Sequence, residues 1–227
     1  MHKRSKRYQE NAKLLGEKRQ MPLAEAVNVL KKTKAPKFDE TVDIAVRLGI
    51  DIKKSDQVVR GAISLPHGVG KTARVICFAK GDKVEVAKTA GAIEVGGEEL
   101  AKKITEGWTE FDVVVASPDM MGIVGRLGKV LGPQGKMPSP KNGTVTPDIA
   151  GAVKEFKAGK VQVRADAAGI VHAPVAKRSF ASEKIVENVE AILNFIRSQK
   201  PAASKGVYIQ SVALSTTMGP GVFVEGA

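Results

Sequence analysis

Leu65-Pro66-His67-Gly68-Val69-Gly70-Lys71-Thr72-Ala73-Arg74-Val75-Ile76-Cys77-Phe78-Ala79 is the stretch in which this chain changes rhythm. Before it, apolar and polar residues alternate, the pattern of a strand with one covered face. From Ala73 to Ala79 the apolar residues run on almost without alternation, as in a strand buried on both sides within a parallel sheet. The fold class therefore changes across these glycines. Leu65 to Thr72 also nearly matches a phosphate-binding P-loop. However, Leu65 stands where that motif needs its first glycine, and a strand, Arg74 to Ala79, follows where it needs a helix N-terminus to hold the phosphate. A nucleotide hydrolase is thus the weaker alternative. Pro66, Gly68 and Gly70 read better as a hinge between domains, since glycine accepts large dihedral changes at little steric cost. Gly159, in Ala158-Gly159-Lys160, marks the return crossing.

Toward the N-terminus the periodicity predicts helices over Tyr8 to Lys18 and Leu23 to Lys32. A half-buried strand follows over Thr41 to Gly49, with Val42, Ile44, Val46 and Leu48 on one side, and another over Val58 to Leu65. Toward the C-terminus, helices over 84–89 and 98–106 alternate with strands over 93–95 and 112–116. A longer helix runs from Pro118 to about Leu131, a Gly/Pro-rich loop spans 132–147, and a helix spans 148–157. Strands alternating with helices mean a parallel α/β unit. After Gly159 alternation returns. Val161, Val163, Ile170 and His172 flank the hairpin signal Asp166-Ala167-Ala168-Gly169. Ser182 caps a long helix with Ile185, Val189, Ile192 and Ile196 on its apolar face, and a last strand runs from Gly206 to Leu214. The simplest account is a mixture of α/β and α+β classes in two domains. Residues 1–67 and 160–227 form an α+β domain from both chain ends, and 68–159 form an inserted α/β domain.

The formal charge of +12 points to an anionic partner. Residues 68–159 hold 13 Lys/Arg against 11 Asp/Glu, a net of +2, which leaves +10 for the outer segments and places the anion-binding surface there. Aromatics are 4% of the chain, too few for a platform of stacked bases, so contact should rest on charge, backbone and shape. A non-specific basic nucleic-acid binder is the alternative that charge alone permits. With one cysteine, Cys77, no disulfide can close within the chain, and its apolar surroundings read as core. No apolar segment approaches the roughly 20 residues that span a bilayer. A soluble intracellular protein that binds no membrane is expected. The three histidines have no metal-like spacing and no catalytic carboxylate pair stands out, so neither enzyme activity nor a cofactor is expected.

Two glycine-rich segments are candidates for RNA contact. Gly125 to Pro138 intersperses glycines with Arg126, Lys129 and Lys136, which suits phosphates or an ordinary solvated loop. Ser215-Thr216-Thr217-Met218-Gly219-Pro220-Gly221 follows a long strand. Its hydroxyls suit 2′-OH and phosphate groups, its glycines allow close backbone approach, and its methionine can pack on a sugar or base.

Several of these segments resemble the large-subunit ribosomal protein L-one family, bacterial type. They are Val58-Val59-Arg60-Gly61 leading to Leu65-Pro66-His67-Gly68, Leu131-Gly132-Pro133 to Met137-Pro138, Gly143-Thr144-Val145-Thr146-Pro147, and Ser215-Thr216-Thr217-Met218-Gly219. The resemblance covers nearly the whole chain. It implies the two-domain plan with a Rossmann-like three-layer insert, and a cytoplasmic ribosomal protein, monomeric when free. It implies binding to large-subunit ribosomal RNA at the mobile stalk near the exit tRNA, help in releasing deacylated tRNA, and repression of translation through the protein's own operon messenger RNA. The family's RNA contacts, carried over, fall on Lys37, Phe38, Glu40 and Thr41, on Arg164, Asp166, Gly169 and His172 at the hairpin, and on Ser211, Thr217, Met218 and Gly219. These are expected to form one patch. Relatives often carry asparagine and lysine around the hairpin aspartate where this chain has Ala165 and Ala167, which implies fewer hairpin contacts here and leaves Ala167 outside the site.

Overall fold

The computed structural model describes residues 4–15, 20–52, 54, 57–81, 83–202, 204 and 206–225. In chain order the elements are α1 (Lys6–Leu15), β1 (Gln20–Met21), α2 (Leu23–Lys32), β2 (Thr41–Leu48), β3 (Arg60–Ser64), β4 (Val75–Phe78), α3 (Lys83–Ala90), β5 (Glu94–Gly96), α4 (Glu98–Thr105), β6 (Val113–Ala116), α5 (Met121–Arg126), α6 (Gly128–Leu131), α7 (Ile149–Ala158), β7 (Lys160–Arg164), β8 (Ile170–Lys177), α8 (Ser182–Ser198), β9 (Ile209–Thr216) and β10 (Val222–Val224). The fold is mixed α and β. The chain separates into two compact units, residues 1–70 with 161–227 and residues 71–160.

In the first unit a five-stranded sheet has the order β1-β10-β9-β2-β8. β2 lies between β8 and β9 and is antiparallel to both. Its alternation works as the pattern requires: Val42, Ile44, Val46 and Leu48 are buried, as are Val212 and Leu214 of β9. They pack with Ala26, Val27 and Leu30 of α2 and Ile185, Val189, Ile192 and Ile196 of α8 in one core. β3 and β7 form a separate two-stranded ribbon.

In the second unit β5-β4-β6 is a three-stranded parallel sheet. All four residues of β4 are buried. Ile76 and Phe78 join Leu100 and Ile104 of α4 and Val124 of α5 in one cluster. Val75 and Cys77 join Ala87 of α3 and Val153 and Phe156 of α7 in another. Successive side chains point to opposite faces of a strand, so these clusters are the two faces of one sheet, each covered by helices. Burial pushes the Cys77 thiol up to about 12, which leaves it an inert core residue at neutral pH.

Four sequence expectations need correction. The helix expected from Pro118 to Leu131 is a 3₁₀ turn over Pro118–Met120 followed by α5 and α6, broken at Leu127 (φ −82°, ψ 1°). Gly122, Gly125 and Gly128 lower helix propensity there. The strands of the expected hairpin part company: β7 pairs with β3 and β8 with β2, joined near the turn by an Ala165–Val171 bridge. Ser182 is the first helical residue of α8; Ala181 holds the cap position and no side chain caps the end. The last strand starts later, at Ile209, and extends through Thr216. The expected continuation of α1 beyond Leu15 to Lys18 lies outside the described residues.

Candidate nucleic-acid interface

The face of the five-stranded sheet opposite its helices carries mostly small and polar residues on β2, β8 and β9, while β10 adds the exposed Phe223 opposite Ala213. Across it, Asp43 lies between Pro174 and Ser215, Ala45 between His172 and Ala213, and Arg47 between Ile170 and Ser211. None of these side chains is large and apolar except Ile170, so the backbone of the sheet lies close beneath its surface. One irregularity shapes this face. The β2–β8 register shifts between Val42 and Asp43, so that Val42 opposes Ala176 while Asp43 opposes Pro174. Val175 and Ala176 are both buried, and Asn188 of α8 donates from Nδ2 to the Val175 carbonyl (2.9 Å). Such a bulge reverses the side-chain parity beyond it. Lys177 is thereby turned toward Thr41, and its Nζ donates to Thr41 Oγ1 (3.0 Å).

At this end of the sheet the loop after β9 is fastened to the start of β2. Thr217 donates from its backbone nitrogen to the Thr41 carbonyl (3.1 Å), and the Thr41 nitrogen donates to Thr217 Oγ1 (3.1 Å). The Met218 nitrogen donates to Glu40 Oε1 (3.0 Å). Gly219 is needed for close approach: a Cβ there would lie 2.2 Å from Thr216 Oγ1. Met218 on this loop is 50% exposed, and Phe38, two residues before Glu40 in the chain, is a second exposed apolar side chain at 52%. Lys37 next to it is also exposed. An exposed methionine held on a tight, hydrogen-bonded loop, with exposed Phe38 preceding the strand to which that loop is fastened, suits a ligand with apolar faces among polar groups, as sugars and bases are.

The structure gathers Lys37, Phe38, Glu40, Thr41, Thr217, Met218 and Gly219 at one end of the sheet. Ser211 opposes Arg47, six residues along β2 from Thr41, or about 20 Å at the rise of a strand. His172 lies opposite Ala45 on the open face. Asp166 and Gly169 occupy the turn before β8, and exposed Arg164 ends β7. The carried-over residues therefore spread from the Thr41 end of the sheet to the turn before β8, with His172 on the open face between them.

Two of those residues serve the fold directly. Asp166 Oδ1 accepts from the backbone nitrogens of Ala168 (2.9 Å) and Ile170 (2.8 Å), and the latter bond in particular holds its carboxyl below the usual range. Gly169 is buried with φ +78°, and its carbonyl accepts from Leu48 (2.9 Å). Glu40 is only 2% exposed. Sequence reasoning missed Lys177 and Arg178, the basic pair at the end of β8, because a bulge that sets their direction leaves no single-residue signature. It missed Asp43 too, whose carboxyl is pushed up by burial against the opposing pull of Lys177 and His172.

The other candidates fall elsewhere. Pro66, Gly68 (φ 62°) and Gly70 (φ 78°) precede β4, and Gly159 (φ 111°) ends α7. The Gly68 carbonyl accepts from Asn188 (3.0 Å). β4 follows the near-match to a P-loop, so no helix N-terminus is available for a phosphate there. In the loop after α6, Lys136 donates to the Thr109 carbonyl (3.1 Å) and lies over the Phe111 ring, while Arg126 and Lys129 are exposed. Among the described residues there is no cluster of metal-ligating side chains, and no helix is long and apolar enough to cross a membrane. Compared with known families, residues 30–220 match the ribosomal protein L1p/L10e family.

Proposed function

The chain belongs to the ribosomal protein L1p/L10e family, a structural RNA-binding family of the large ribosomal subunit, and on that premise we propose that it binds ribosomal RNA through the Thr41–Met218 end of its open sheet. The carrying observation is that loop: hydroxyls, backbone and an exposed methionine are fixed to Glu40 and Thr41, directly after the exposed Lys37 and Phe38 in the chain. The RNA follows the open face toward His172, Ser211 and Arg164. Residues 1–70 with 161–227 act as the RNA-binding domain, and residues 71–160 as a second domain reached through Pro66, Gly68, Gly70 and Gly159. The protein works in the cytoplasm at the mobile stalk beside the exit tRNA, where it assists release of deacylated tRNA.

The same surface represses the protein's own operon. A surface that reads shape through backbone, hydroxyl and 2′-OH contacts accepts any RNA presenting the same fold. Ribosomal and messenger RNA then compete for one site, and a tenfold preference for the ribosomal RNA needs about 1.4 kcal/mol. The test has two parts. The chain should sediment with large ribosomal subunits through a moderate salt wash, and a stalk fragment of ribosomal RNA should displace the operon leader in a competition titration. Simultaneous binding of both RNAs would refute the shared surface, and loss from the subunits at low salt would refute the ribosomal role.

A further inference from the structure

The Met218 loop is tied to a largely buried charged pair, Arg178 and Glu40. Arg178 Nη1 donates to Glu40 Oε2 (2.8 Å), and the Arg178 backbone nitrogen donates to the Glu40 carbonyl (2.8 Å). Arg178 Nη2 donates to the carbonyls of Lys31 (2.8 Å) and Thr33. Those carbonyls belong to the C-terminal end of α2, where a cation is favoured. The other Glu40 oxygen receives the Met218 nitrogen. Exposure of the two side chains is 13% for Arg178 and 2% for Glu40. One guanidinium thus ties together the end of α2, the start of β2 and the end of β8, and through Glu40 it reaches the loop after β9.

We propose that Arg178 and Glu40 are positioning residues for RNA binding: Arg178 fixes Glu40, Glu40 fixes the Met218 backbone, and neither side chain touches RNA. This rests on the preceding assignment of the Thr217–Gly219 loop as an RNA contact. It also gives Glu40 a role that a direct contact would not need. A carboxylate facing a phosphate would repel it, whereas one turned inward and neutralised by Arg178 presents only the backbone it holds. The loop is set before RNA arrives, so less conformational freedom is lost on binding.

The experiment measures binding of full-length protein to a stalk fragment of ribosomal RNA over a range of salt, and amide hydrogen exchange in the free protein. Arg178→Ala should weaken binding by about 10-fold or more with the salt slope unchanged, because no phosphate contact is lost. It should also speed exchange at the Met218 amide more than at the sheet amides of β2. Glu40→Gln keeps an oxygen for the Met218 nitrogen and should show a smaller loss. Arg178→Lys provides a milder charged variant if Arg178→Ala does not fold. The double variant Arg178→Lys with Glu40→Gln should cost less than the product of the two singles, since both act through one device. A salt slope reduced by about one unit would place Arg178 on a phosphate and overturn the proposal. So would a Met218 amide as protected in the variants as in the parent, or loosening without loss of affinity. If the unmodified protein does not bind the fragment, the functional assignment fails, while the exchange measurement still decides whether Arg178 holds the loop.

Discussion

β2 and β4 are both central strands, yet they meet different surroundings. β4 sits in a sheet packed on both faces, with Phe78 turned to one helical layer and Cys77 to the other. β2 buries Val42, Ile44, Val46 and Leu48 against α2 and α8 and leaves Asp43 and Ala45 half-buried and Arg47 exposed on the opposite face. A sheet covered twice has its side chains committed to packing. A sheet covered once keeps half of its residues available, and here that half is mostly small and polar apart from Ile170 and Phe223, with hydrogen-bonded loops at its edges. Charge follows the same division, since most of the net +12 belongs to the outer segments.

Damage confined to the doubly covered sheet should cost stability and spare RNA binding. Phe156 is fully buried in the α3/α7 layer. Phe156→Ala should cost about 3–5 kcal/mol in denaturant unfolding, with RNA affinity within about two-fold of the parent at a temperature where the variant remains folded. A parallel collapse in RNA affinity would show that the two sheets are not separable in function. Met218→Asp tests the open side. A carboxylate set against RNA should weaken binding by about 3 kcal/mol, while the melting temperature moves by no more than a degree or two because the side chain is half exposed. Unchanged affinity in the folded variant would remove the loop from the interface. Arg164→Ala concerns the far end, where the expected effect is smaller: weaker binding to every RNA variant and a salt slope lower by about one unit. A slope equal to the parent's would confine the interface to the Thr41–Met218 end.

The smallest effect concerns two carboxylates on the same unit whose shifts have opposite signs. The Asp43 carboxyl is raised by burial, so the folded chain holds its proton more tightly than the unfolded chain. Its contribution to stability therefore declines as pH rises from the ordinary aspartate value of about 3.9 through the raised folded value. Asp166 is lowered by the backbone bonds of its turn. Its contribution is present above the unfolded value and is lost as pH falls through the folded one. Asp43→Asn should therefore gain stability relative to the parent as pH rises toward neutrality, and Asp166→Asn should lose it. Parallel pH profiles for the two variants would contradict this assignment.

Much of the fold was legible because periodicity reports burial directly. The Thr41–Leu48 alternation and the continuous run at Val75–Phe78 each found the environment their patterns describe, and α2 begins and ends where its apolar face predicts. Pairing was less legible. β7 and β8 alternate well enough, but alternation within a strand does not name its neighbour, and they went to different sheets. β1 and β10, at two and three residues, are too short to show any period. Of the interface, Thr217, Met218 and Gly219 came from a recognisable motif. Lys177 did not, because the bulge at Val175 and Ala176 turns it outward against the parity of its strand. Glu40 was named, but its burial and its Arg178 partner depend on contacts between distant segments.

The interleaving of β2, β8 and β9 has a consequence for how the polypeptide emerges during synthesis. Thr41 pairs with Lys177, and Val42 with Thr216, so β2 leaves the ribosome long before either neighbour exists. Residues 71–160 are contiguous and can close their own core while β2 still waits with Val42, Ile44 and Val46 uncovered. At the usual pace of about 5–20 residues per second, that wait is on the order of ten seconds, far longer than the microseconds in which short chains collapse. A nascent chain of this protein therefore passes through an interval in which the central strand of its five-stranded sheet is unpaired with apolar side chains exposed, a species that chaperones and aggregation both recognise.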